Sequence, residues 1–351
     1  MIAAILLYFS LLFYGVIELF RDRIYQLSNF FFVLILSLIA AFRWDVGNDF
    51  MSYHQWYNTF EYSDISFSIF SDSGFLSLLY VGKQLRLSSA FMFGASAFLG
   101  WGLIAFRYKS NFSIVFTVLL LGEFYFWSHN GLRQFIAIAF FTLFIHSLDQ
   151  KQVLWSMVYA IFGTLFHSSF IFMVPIAFLL IRINPFSFWI YVVLYLVSLV
   201  VGLTPEFIEK ISELMTNFYL KSNGLEYYGR HLEKGRIVFA EDFAIGVGYL
   251  LNRILDIIIL YYLIKRRFEL KSLSMLSWFG LLFFNLFLSV QVLLRISIYF
   301  VFFKYVLLAF MLLDKTENKL IKYVSISVLV ALFISAIING SNMNSPFTFR
   351  I

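Results

Sequence analysis

The chain has 351 residues, of which 61% are hydrophobic and only 13% are charged, with a net charge of +6 and no cysteine. The mean hydropathy of +0.85 lies well above soluble globular values and indicates an integral membrane protein. The lack of cysteine excludes disulfides, thiolate metal sites and cysteine nucleophiles. Basic residues flank the apolar runs, so the positive charge indicates membrane orientation and not nucleic-acid binding.

Apolar runs of spanning length recur along the chain and predict an all-α, polytopic membrane protein, because helices satisfy their own backbone groups in lipid. Residues 153–166 form a short run that could be broken or re-entrant. We interpret the first run as a retained helix and the whole chain, 1–351, as one transmembrane domain. At roughly 20 residues per span, the predicted segments number about twelve: 2–20, 27–42, 88–106, 112–128, 133–148, 153–166, 168–182, 187–203, 243–264, 273–292, 295–313 and 320–338.

The short connections on one side of these segments carry much of the basic charge, including Arg107, Lys109 and the run 265–267. Positive-inside bias places that side in the cytoplasm. Alternation then places the long connections 43–87 and 204–242 outside the cytoplasm. Within them, residues 74–86 resemble an interfacial helix and Thr204-Pro205-Glu206 resembles a helix start.

Residues 43–53 form a polar cluster that begins where the apolar run 30–42 stops. The segment reads Arg43-Trp44-Asp45-Val46-Gly47-Asn48-Asp49-Phe50-Met51-Ser52-Tyr53. Charged residues are scarce in this chain, so their concentration at a membrane boundary predicts a functional site. Further polar motifs follow in the order Gly131-Leu132-Arg133-Gln134, Phe166-His167-Ser168-Ser169 and Arg295-x3-Tyr299.

These motifs, in this order, resemble the EpsG-like, Wzy-type polysaccharide polymerases. The pattern Arg43-x3-Gly47-Asn48-Asp49-x3-Tyr53 is similar to the family's arginine, Gly-Thr-Asp and tyrosine signature, with Asn48 in place of the threonine. The start of the 133–148 segment is similar to its Arg-Gln-x-Ile-Ala motif. The segment around His167, with Pro175 downstream, is similar to its Phe-His-x-Ser motif.

The resemblance implies a multi-pass enzyme of the bacterial inner membrane, similar in architecture to lipid-linked, GT-C-like glycosyltransferases. Such an enzyme transfers a growing glycan from one undecaprenyl-pyrophosphate carrier to a second lipid-linked repeat unit on the extracytoplasmic face. It implies undecaprenyl-pyrophosphate-linked oligosaccharide and membrane lipid as partners, with a chain-length regulator and a flippase as further partners. No cofactor is implied.

The reaction needs cationic groups for the pyrophosphate and a base for the acceptor hydroxyl. Arginine matches phosphate oxygens and stays charged when buried. Each arginine could instead reach lipid headgroups, and Arg43 could form an ion pair with Asp45 or Asp49. The candidates for substrate binding are Arg43, Asn48, Tyr53, Arg133, Gln134, Arg236, Arg295 and Tyr299.

Asp49 and His167 are the leading candidates for the base, with Asp45 as a third. Asp49 could instead cap a loop, and His167 could be a buried histidine bonded to backbone or serine. No metal-ligand spacing is present in the sequence, so we predict metal-independent chemistry. The alternatives are an O-antigen-type ligase and a non-enzymatic lipid-linked oligosaccharide flippase or transporter.

Some charges fall inside predicted spans, where they are costly and usually face a partner. Arg253 and Asp256 share one helical face and predict a structural ion pair. Lys304 is expected to meet a carboxylate from another helix.

Overall fold

A computed structural model describes residues 25–61, 63, 71–221, 246–288, 290–338 and 348–349. Two strands of two residues each, β1 (Arg43–Trp44) and β2 (Thr348–Phe349), pair antiparallel. The predicted all-α class is confirmed. The helices are α1 (Tyr25–Phe42), α2 (Phe50–Thr59), α3 (Ser73–Gln84), α4 (Ser89–Tyr108), α5 (Phe112–Leu121), α6 (Phe124–Ser128), α7 (Leu132–Asp149), α8 (Val153–Phe166), α9 (Phe170–Arg182), α10 (Phe188–Gly202), α11 (Pro205–Lys221), α12 (Val247–Lys265), α13 (Lys271–Phe287), α14 (Gln291–Leu313) and α15 (Lys319–Ile338).

Five stretches of the described chain are long and apolar enough to cross a membrane, which confirms a multi-pass protein. The number rises to six if α10 and the start of α11, which meet at 80°, form one broken span. The predicted segment 2–20 lies outside the described residues, and twelve spans stay a prediction. The five stretches are Ser89–Leu121, Leu132–Asp149, Val247–Lys265, Leu293–Leu313 and Lys319–Ile338.

The stretch Ser89–Leu121 is a helical hairpin, although its length and composition alone would fit one long span. The Trp101 and Phe116 rings lie 5.1 Å apart, whereas one straight helix would separate these residues by about 22 Å. The chain reverses at Lys109, whose φ is 44°, within a turn of 3-10 helix at Lys109–Asn111. The reversal falls at the predicted connection between segments 88–106 and 112–128.

The predicted segment 112–128 is broken into α5 and α6. The break lies at Gly122 and at Glu123, which has a left-handed backbone with φ 64°. In contrast, the short segment 153–166 is one continuous helix, α8, so the expectation that it could be broken is wrong. The helix start expected at Thr204–Glu206 is confirmed, because α11 begins at Pro205, where the missing backbone N–H of proline carries no cost.

The helices cluster into two compact units. Unit 1 contains Met1–Leu179 and Leu312–Ile351, and unit 2 contains Leu180–Met311. In unit 1, α7 is 78% buried and forms the centre, with α4 and α8 packed against it. A helix that is apolar on all sides is expected in such a position. In unit 2, α13 packs against α10 and α12.

Helices α1 and α4 of unit 1 run antiparallel, which defines two ends of the unit. Gly94 near the start of α4 packs on Ala41 near the end of α1. At the other end, Asn29 Nδ2 of α1 donates to the carbonyl oxygen of Lys109 at 2.9 Å. Arg43, directly after α1, therefore lies at the end of the α1–α4 pair opposite to Lys109.

Candidate functional site: a buried aspartate between an arginine and a histidine

Asp72 organises the polar cluster that the fold assembles in unit 1. Its Oδ2 accepts a hydrogen bond from Arg133 Nη1 at 2.5 Å and lies 3.4 Å from His167 Nδ1. Its Oδ1 accepts the backbone N–H of Ser168 at 2.8 Å. The Asp72 side chain is only 6% exposed, whereas those of Arg133 and His167 are 30% and 25% exposed. We call these four residues the Asp72 centre.

Three helix ends bring the Asp72 centre together. Asp72 occupies the N-cap position of α3, Arg133 is the second residue of α7, and His167 directly follows α8. Helices α3 and α8 approach closely because α3 has a glycine at this point. A Cβ on Gly74 would lie 3.1 Å from the backbone oxygen of Leu165, so a larger residue would push the two helices apart.

The Arg133 guanidinium also contacts an aromatic ring. Its central carbon lies 5.2 Å from the centre of the Trp56 ring, a cation–π distance. Trp56 in turn stacks on Phe75 of α3 at 5.6 Å. Arg133 is therefore fixed in orientation by a carboxylate and a ring, yet it keeps part of its surface open.

The pKa of Asp72 lies below its ordinary value of 3.8. Burial by itself raises this pKa, but the hydrogen bond and charge of His167, the charge of Arg133 and the Ser168 N–H together outweigh it. The Asp72 centre therefore holds an ionised carboxylate at neutral pH.

Because this pKa is lower in the folded than in the unfolded protein, the ionised Asp72 carboxylate stabilises the fold above pH 3.8. That stabilisation is lost as the pH falls through the lowered pKa. We expect the difference in melting temperature between the wild type and Asp72→Asn to shrink as the pH falls below 3.8. Thermal unfolding in detergent across pH measures it. A difference that stays unchanged well below pH 3.8 would contradict the assignment.

The predicted cluster 43–53 contacts the residues that precede α7. Arg43 is 2% exposed and donates from Nη2 to the backbone oxygen of His129 at 2.9 Å. Its guanidinium carbon also lies 4.7 Å from the centre of the Phe93 ring. Burial lowers the pKa of Arg43 to about 9, which leaves it charged at neutral pH. A backbone oxygen, and not Asp45 or Asp49, is thus the hydrogen-bond partner of Arg43 among the described residues.

Gly47 forms the second contact between this cluster and the segment before α7. Its φ of 97° favours glycine, and a Cβ there would collide with Asn130 Oδ1. The glycine of the sequence motif is therefore explained by close packing as well as by backbone conformation.

The other predicted residues of the 43–53 cluster lie around this contact. Asp45 and Asn48 are exposed, and Asp49 is half-buried at the N-cap position of α2. Tyr53 is buried in the core, with its ring 6.0 Å from that of Phe75. Catalysis by Asp45 or Asp49, and substrate binding by Arg43, Asn48 and Tyr53, stay predictions.

The remaining predicted site residues are divided between the units. Gln134 is buried on α7 next to Arg133. Arg295 is exposed and Tyr299 is buried, and both lie on α14 in unit 2. Arg295 was expected to begin its helix, but α14 already begins at Gln291. Arg236 lies outside the described residues.

Sequence reasoning named Arg133 and His167 but missed Asp72, which joins them. Asp72 is 61 residues from Arg133 and 95 from His167. The local pattern Ser71-Asp72-Ser73-Gly74 does indicate a helix start. That pattern predicts a cap for α3 and gives no sign of a buried ion pair, so only the tertiary contacts identify the residue.

A second ionic cluster lies inside unit 2, and it confirms both predictions for the intramembrane charges. Asp256 is 1% exposed and lies 3.1 Å from Arg253 Nη2 on the same helix. Lys304 Nζ of α14 lies 2.6 Å from the second oxygen of Asp256. Arg253 also donates to Asn285 Oδ1, and Tyr195 donates to Asp256 at 3.4 Å.

The membrane helices and the Asp72 centre define a multi-pass membrane protein with a partly open arginine–aspartate–histidine site at helix ends. A family model described as the EpsG family matches residues 26–349, so the chain belongs to the EpsG family and the predicted resemblance is confirmed. Neither a curated protein nor a solved structure matches the chain.

Proposed function

We propose that this protein is a polysaccharide polymerase. It would transfer a growing glycan from one undecaprenyl-pyrophosphate carrier to a second lipid-linked repeat unit on the extracytoplasmic face of the bacterial inner membrane. Membership of the EpsG family supports a function of the polysaccharide polymerase type. The observation that supports the chemistry is the Asp72 centre, where a cation and an imidazole are held on one buried carboxylate.

His167 suits the role of the base that activates the acceptor hydroxyl. Its Nδ1 faces a carboxylate that can only accept, which favours the tautomer with a proton on Nδ1 and a free lone pair on Nε2. The 3.4 Å distance is long for a hydrogen bond, but such bonds commonly shorten when substrate binds. Asp72 would orient the ring and stabilise the imidazolium that forms.

Arg133 suits the role of the group that stabilises the leaving pyrophosphate. It combines a fixed charge with a position at the start of α7, where the positive end of the helix dipole also favours an anion. Asp72 and Trp56 hold the guanidinium in place, so little reorganisation is needed as negative charge develops.

In the proposed step, the acceptor hydroxyl oxygen attacks the anomeric carbon of the donor sugar and forms the new glycosidic bond. The hydroxyl proton moves to His167 Nε2. The bond between the anomeric carbon and the pyrophosphate oxygen breaks, and undecaprenyl pyrophosphate leaves with the electron pair. Attack opposite to the leaving group would invert the anomeric carbon, and the charge of Arg133 would serve without a metal ion.

Purified protein with lipid-linked repeat units, in the presence of a chelator and without nucleotide sugar, tests the proposal. We expect a ladder of extended glycans from the wild type and none from Arg133→Ala. Arg107→Ala is a matched control. The Arg107 guanidinium also lies over an aromatic ring, that of Tyr108 at 5.0 Å. However, Arg107 is near Lys109, at the end of the α1–α4 pair opposite to Arg43. A normal ladder from Arg133→Ala would refute the role of Arg133. Transfer of finished polymer to a different lipid, without extension, would indicate a ligase.

A further inference from the structure

A groove of about 590 Å³ lies between α1 and α4 of unit 1. Its walls are mainly apolar and include Phe30, Phe98 and Phe106, which are 50%, 38% and 63% exposed. Gly102 forms part of its floor, and a Cβ there would meet only Val33, at 4.0 Å. A side chain at position 102 would therefore occupy open space beside Val33, and the volume of the groove is typical of ligand sites.

One end of the groove is polar. Gln26, Asn29 and Lys109 line it there, and Asn29 Nδ2 donates to the backbone oxygen of Lys109. Lys109 has a left-handed backbone (φ 44°), a conformation that costs energy for a residue with a side chain. The bond from the buried Asn29 helps to hold this turn, and the Lys109 side chain is exposed. The backbone of Lys109 is thus held at the polar end of an apolar groove, and its side chain supplies an exposed cation there.

We propose that the α1–α4 groove binds one anionic phospholipid, with an acyl chain along the apolar walls and the phosphodiester at Lys109. The single lysine matches the single negative charge of a phosphodiester. The basic residues of this connection predict that Lys109 faces the cytoplasm, where anionic lipids interact with basic pockets between membrane helices. The inference is independent of the proposed polymerase activity.

The position of the groove argues against the carrier lipid of the proposed reaction as its occupant. Lys109 lies at the end of the α1–α4 pair opposite to Arg43, which contacts the segment leading to Arg133. A pyrophosphate carries more negative charge than one lysine matches, and arginine forks suit it better. An ordinary phospholipid fits both the charge and the location.

Native mass spectrometry of the purified full-length protein tests this inference. The protein is incubated with equal amounts of phosphatidylglycerol, phosphatidylcholine and undecaprenyl pyrophosphate. We expect one phosphatidylglycerol to remain bound to the wild type. Gly102→Leu fills the groove and is expected to reduce retention at least tenfold, whereas the smaller Gly102→Ala retains more lipid. The melting temperature of each variant shows whether it is folded.

Charge is tested separately from shape. Lys109→Gln is expected to reduce the preference for phosphatidylglycerol over phosphatidylcholine by about fivefold. Lys151→Gln is the matched control, because Lys151 is also exposed, with φ 57°, but lies outside the groove. Unchanged retention in folded Gly102→Leu, a wild type without bound lipid, or preferential binding of undecaprenyl pyrophosphate would each overturn the proposal.

Discussion

Replacing Asp72 by asparagine is expected to slow polymer formation strongly while the protein still folds. Asparagine keeps the size of the side chain and tolerates the left-handed backbone at this position (φ 48°). It removes the negative charge that holds Arg133 and faces His167 Nδ1. General-base catalysis typically contributes on the order of 10²–10⁴ in rate, so we expect a loss of that size in glycan extension.

Asp45→Asn provides the matched comparison for this experiment. Asp45 also has a left-handed backbone (φ 49°), but its side chain is exposed. Near-normal extension by Asp45→Asn together with loss in Asp72→Asn would locate the chemistry at the Asp72 centre. The opposite pattern, with an active Asp72→Asn and an inactive Asp45→Asn, would indicate that the catalytic carboxylate belongs to the 43–53 cluster. The melting temperature at neutral pH separates a loss of activity from a loss of folding.

Replacing Asp256 by asparagine is expected to destabilise the protein severely. Arg253 and Lys304 both pair with this one carboxylate, and each lies on a helix that is long and apolar enough to cross a membrane. Its removal takes the counter-charge from the buried Lys304 and from the half-buried Arg253. Breaking a buried ion pair costs about 3–5 kcal/mol. We therefore expect a large fall in melting temperature and in yield from membranes.

Lys304→Met is the control that makes the second prediction specific. It removes one of the two cations, leaves the Arg253–Asp256 pair neutral as a whole, and replaces the lysine by an apolar chain of similar length. Replacing a buried charged side chain by an apolar one often leaves the free energy of unfolding unchanged, provided that no oppositely charged partner is left unpaired. A melting temperature close to that of the wild type is expected. Equal damage from both substitutions would show that Lys304 has a role beyond charge balance.

Short sequence motifs identified two residues of the candidate site, Arg133 and His167, but not the residue that joins them. Arg133 lies two residues after Gly131 at the start of an apolar run, and His167 lies between two runs, so each was visible as a polar residue at a helix end. Asp72 was not visible, because its function depends on partners far away in the sequence. The role of Gly47 likewise depends on Asn130, which approaches it only in the folded chain.

The sequence by itself determined that this is a helical, multi-pass membrane protein of the EpsG family. It could do so because spanning length and hydropathy are properties of continuous segments, and because family motifs are local. It also predicted the Arg253–Asp256 pair, since helix periodicity places residues three apart on one face. Only the tertiary structure decided that Asp72 joins Arg133 and His167 and that Arg43 donates to a backbone oxygen. These features depend on packing between distant segments, which hydropathy and spacing along one segment do not encode.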